Sequence, residues 1–167
     1  GIDKSTLEIC KFNFNKNYVS IISTFDLMMT SNFINPFINQ ILSLNKSNLI
    51  VINAEDLSID DRYKSKYQYV DQQFNEIFLS LSNFLKEQNE VYVKNDYNKS
   101  IFDNKKKIDC IIIGIDSFKS RLNDENKTKF ADLFNNGKDL GIVNFIILDS
   151  VDKIKKRFIF VLFLIIY

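Results

Sequence analysis

Several stretches of this chain are apolar almost without interruption, and the segments between them repeat apolar residues every three or four positions. The runs are Tyr18 to Ser23, "NLIVINAED" ending at Glu55 and Asp56, "IDCIIIGID" ending at Asp116, and "IVNFIILDS" ending at Asp149 and Ser150. A strand with one wet face alternates, whereas a strand covered on both faces reads as a continuous run, as in parallel sheets. An earlier stretch, Thr6 to Phe12, alternates loosely and predicts a half-exposed strand, set off by the turn Asn15 to Asn17.

The helical spacings fall between these runs. Phe33, Ile34, Phe37, Ile38, Ile41 and Leu42 form one stripe; Val70, Phe74, Ile77, Phe78, Leu81, Phe84 and Leu85 form a second and clearer one. Pro36 lies inside the first stripe. It predicts either a kinked helix or one that starts late, with Asn35 as cap and Pro36 at the first helical position. Asn123 followed by Asp124 and Glu125 predicts another helix start, because a capping side chain is followed by acids at the positive end of the dipole. That helix is expected to run through Phe130, Leu133 and Phe134 to a left-handed stop at Gly141. The stretch from Asn95 to Lys107 is polar and charged and reads as a surface connection. Alternating strands and helices with fully apolar strands predict an α/β fold with a mainly parallel sheet covered by helices.

Composition narrows this picture. The 167 residues suggest one domain, and 46% hydrophobic with 26% charged residues is ordinary for a folded core. Only four glycines and one proline occur, too few for the many tight turns of an all-β protein. A formal net charge of +1 demands neither nucleic acid nor an acidic membrane as partner. Histidine is absent, which removes the commonest general base and metal ligand. Cys10 and Cys110 lie in strand-like runs and are expected to be reduced, buried thiols. The chain opens on Gly1 rather than methionine, so a fragment of a longer protein is expected. The ending, basic at Lys155 to Arg157 and apolar from Phe158 to Tyr167, is too short to span a bilayer, which needs roughly 20 residues.

In open parallel sheets ligands bind at the carboxyl ends of strands, which directs attention to Ser23–Thr30, Glu55–Asp56, Asp116–Ser117 and Asp149–Ser150. The first of these segments joins a strand to a helix and has the length of the phosphate-loop frame G-x-x-x-x-G-K-[ST]. Ser23 takes the place of the first glycine, Thr24 to Leu27 fill the spacer, Met28 takes the place of the second glycine and Met29 that of the lysine. Only Thr30 fits. Asp116 stands where a second motif places a magnesium-shell aspartate, and Ser117 stands where a catalytic glutamate often follows. A phosphate cradle needs several backbone N–H groups converging on one anion, a curve that glycines permit. The methionines supply bulk without charge, and Asp26 adds a negative charge nearby. The plainer alternative is that Met28 and Met29 fill a hydrophobic gap, Thr30 caps a helix, Asp116 is a turn acid and Lys138 meets a helix dipole.

With these motifs in place, the chain resembles the C-terminal ATPase module of FtsK/SpoIIIE-type proteins, of the EssC (YukB)-like kind that drives Gram-positive type VII secretion. "GKDLGIVNFIILDS" is similar to that superfamily's glycine-basic-x-x-glycine-isoleucine helix end and following strand. "CIIIGIDSF" resembles its second nucleotide motif, and "GIDKSTLEICKFNF" resembles its opening edge strand. The resemblance covers residues 1–150 and leaves 151–167 as a basic, then apolar, segment. It implies a three-layer sandwich of the RecA-like P-loop NTPase fold with degenerate motifs. It also implies neighbouring ATPase modules and secreted proteins as partners, no nucleic acid, and a place on the cytoplasmic side of the membrane through regions outside this chain. Ser23, Thr24, Met28, Met29, Thr30 and Asp116 then form a vestigial nucleotide site. No catalytic residue and no metal site is expected, and ATP with magnesium is expected to bind weakly at most. The alternatives are a working ATP-binding module of an FtsK-type translocase of protein or DNA, and a Rossmann-like interaction domain.

Overall fold

The structure is a computed structural model that describes residues 19–23, 27–44, 47–97 and 107–148. Within these, five strands form one sheet in the order β1-β5-β4-β2-β3, and every pairing is parallel. The strands are β1 (Val19–Ser23), β2 (Ser47–Asn53), β3 (Gln68–Val70), β4 (Lys107–Ile113) and β5 (Ile142–Leu148). The helices are α1 (Leu27–Leu44), α2 (Asp61–Lys64), α3 (Phe74–Lys94), α4 (Ile115–Ser120), α5 (Asp124–Thr128), α6 (Asp132–Asn135) and α7 (Gly137–Leu140). The expected mainly parallel α/β sheet is therefore present. The strand predicted over Thr6–Phe12, Cys10, and the apolar ending lie outside the described residues.

The sheet separates two apolar layers because successive strand residues point to opposite faces. Ile111 and Ile113 of β4 join Val51, Phe145 and Ile147 beneath Ile34, Ile38 and Ile41 of α1. Cys110 and Ile112 face the other way, joining Ile52, Ile142 and Ile146 beneath Phe74, Ile77, Phe78 and Leu81 of α3 and Phe118, Leu133 and Phe134 of the shorter helices. Helices thus cover both faces, giving three layers. The second layer is rich in rings: Phe118 meets Phe74 at 5.8 Å and Phe130 at 5.6 Å between centroids. Cys110 is a free, buried thiol, and burial pushes its pKa up to about 12, which suppresses the reactive thiolate.

Several elements differ from the sequence expectation. Of the two expectations at Pro36 the late start is overturned: helix α1 begins at Leu27 and runs through the proline. Pro36 sits on the exposed row with Asn32 and Asn39, so its ring faces solvent. Phe33 and Phe37 stack across it at 5.1 Å, and Phe37 meets Phe145 edge-on at 5.2 Å. An interior proline costs about 3 kcal/mol; burial of Ile34, Ile38 and Ile41 at full apolar area offsets it. Val70 belongs to β3 rather than to the α3 stripe. The helix expected from Asn123 to Gly141 is broken into α5, α6 and α7; α6 turns Leu133 and Phe134 inward and α7 turns Leu140 inward, whereas α5 buries only the polar Asn126. Its two ends are as expected: Asn123 accepts a hydrogen bond from the Asn126 backbone N–H at 2.8 Å, and Gly141 stops α7 at φ +94°. β1 is half-buried along its whole length instead of covered on both faces, because among the described strands it has a neighbour on one side only.

Candidate functional site

All the described strands point the same way, so their carboxyl ends form one edge. Ser23 pairs with Leu148, Ile113 with Ile147, and Asn53 with Ile113, which levels four strand ends. Ser23, Glu55 and the turn before Asp116 are thereby brought to one edge. Asp149 and Ser150 follow β5 outside the described residues. β5 lies between β1 and β4, so the β1 and β4 ends are two strand spacings apart, about 10 Å.

At the first junction, α1 begins soon after β1. Thr24 lies outside the described residues, as does the side chain of Met29. Met28, Met29 and Thr30 occupy the first turn of α1, so Thr30 is neither a loop residue nor the cap of the helix. Thr30 is 1% exposed and starts the buried stripe continued by Ile34, Ile38 and Ile41. Met28 is 76% exposed and starts the outward row continued by Asn32, Pro36 and Asn39. The idea that Met28 fills a hydrophobic gap is therefore corrected: helix periodicity places it on the opposite side from the core. The first turn of α1 carries no acidic residue. Its leading N–H groups are of the kind that favour anions. The segment carries neither the glycines nor the lysine of the phosphate-loop frame.

The second junction is built differently. Gly114 follows β4 at φ +73°, a left-handed conformation that glycine adopts without cost, and caps α4. Asp116 is consequently not at the strand end, as expected, but in the first turn of α4, where it is exposed. Ser117 donates its hydroxyl to Glu55 Oε1 at 2.6 Å. Glu55 lies across Gly114 so closely that a Cβ there would come within 2.2 Å of Glu55 Cγ. The absence of a side chain at 114 is what lets the carboxylate reach Ser117.

Glu55 is held in turn by a buried asparagine. Asn53 Oδ1 accepts from the Leu57 N–H at 3.0 Å, while Asn53 Nδ2 donates to the Leu57 carbonyl at 2.7 Å and to Tyr69 Oη at 2.9 Å. These bonds close the turn that carries Glu55 and Asp56, the latter at φ +51°. Only a weak signal for this lies in the sequence: an asparagine closing an apolar run before a polar turn. The Glu55–Ser117 bond joins residues 62 positions apart, and nothing local announces it.

Together the parallel order, the two helical layers and the junctions on one edge define the class of fold, a three-layer α/β sandwich of the RecA-like kind. Three solved structures share it. The pCW3 conjugation coupling protein TcpA, in a monomer form with ATPγS, superposes with a TM-score of 0.59 at 15% identity over 84% of this chain and 45% of its own. The Thermomonospora curvata EccC ATPases 2 and 3, in complex with a signal sequence peptide, give 0.59 at 13% identity over 93% of this chain and 31% of theirs. The cytoplasmic domain of the T. curvata type VII secretion ATPase EccC gives 0.63 at 13% identity over 93% of this chain and 20% of its own. This chain thus spans less than half of each of these proteins. No family profile matches the sequence, and no curated protein matches it. No helix among the described residues is long and apolar enough to cross a membrane.

Proposed function

We propose that this chain is a degenerate ATPase-like module of a type VII secretion motor. In this reading it is non-catalytic or binds nucleotide only very weakly, and it acts in substrate recognition or in regulation between modules. The observation that carries the reading is Met28, a large apolar side chain facing solvent in the first turn of α1, where the phosphate-loop frame requires glycine. Phosphoryl transfer depends on positioning and charge stabilisation, and here the lysine of the frame is Met29 and the glutamate after Asp116 is Ser117. The likeness to EccC, including a form bound to a signal sequence peptide, supports secreted proteins and neighbouring ATPase modules as partners. It also supports an EssC-like placement on the cytoplasmic side of the membrane, with anchoring by regions outside this chain. A net charge of +1 gives no electrostatic basis for DNA pumping.

A second reading, a working ATP-binding module, rests on the match in sequence of Thr30 to the last position of the phosphate-loop frame and of Asp116 to the aspartate of the second motif. Calorimetric titration with ATP and magnesium separates the two. The inert module gives no binding in the micromolar range and no phosphate release; micromolar binding with turnover supports the working module and discards the first.

A further inference from the structure

We draw no further inference here: the strongest candidate, the groove of about 940 Å³ at the amino-terminal edge of the sheet between the end of α1, the start of β2 and the outer face of α3, carries nothing because nothing among the described residues shows what covers it.

Discussion

The two strand-to-helix junctions on the carboxyl edge have the same plan and opposite contents. At β1–α1 the segment has the length of a phosphate-loop frame, and the exposed thioether of Met28 stands where that frame has a glycine. At β4–α4 the glycine is present, strained for any other residue, and packed under Glu55. The glycine of the second junction serves an internal contact with Glu55, whereas the first junction carries side chains throughout.

That comparison can be broken by substitution. The largest effect is expected at Phe118, which anchors α4 among Phe74 and Phe130 and is 0% exposed. Phe118→Ala should cost about 3–5 kcal/mol in urea unfolding, as ring-to-methyl truncations in cores do; a loss near zero would mean that α4 is not anchored there. Gly114→Ala comes next. The left-handed backbone and the displaced Glu55 should cost roughly 1–3 kcal/mol. An unchanged melting curve would show that the second junction tolerates a side chain as readily as the first. Ser117→Ala removes one hydrogen bond to a carboxylate and should cost about 1 kcal/mol, with a full-strength signal expected only if the Glu55 contact persists in solution. At the small end, Met28→Ala should move stability by no more than about 0.5 kcal/mol, because the side chain touches solvent. A loss above about 2 kcal/mol would place Met28 in a packed site and undo the contrast.

Much of the fold was legible in the sequence, for identifiable reasons. β2, β4 and β5 are continuous apolar runs because helices cover both their faces, and β5 is buried at every residue. α3 was legible because its buried residues, Phe74, Ile77, Phe78, Leu81 and Leu85, keep helical spacing over several turns. β3 was not legible. Three residues with a single buried one cannot establish a period of two, and Val70 lies four positions before Phe74, which mimics a helix stripe. The break into α5, α6 and α7 was hidden because Phe130, Leu133 and Phe134 all point inward whether the backbone is one helix or several. α1 overrode its proline because the buried stripe runs on both sides of Pro36 while the ring faces out. For the site, the strand-end rule located the edge, and Ser23 and Glu55 do lie along it. The rule could not reveal that Thr30 turns into the core, that Asp116 has moved into a helix, or that Glu55 reaches Ser117. Those depend on helix phase and on contacts between distant parts of the chain.

One pairing also bears on how this molecule is made. β1, near the start of the described chain, finds its partner among the described strands only in β5, the last of them. Loop-closure entropy must be met before such a distant pairing contributes, which slows assembly. During synthesis, Ile21 and Ile22 therefore stay without this strand partner until β5 has emerged from the ribosome.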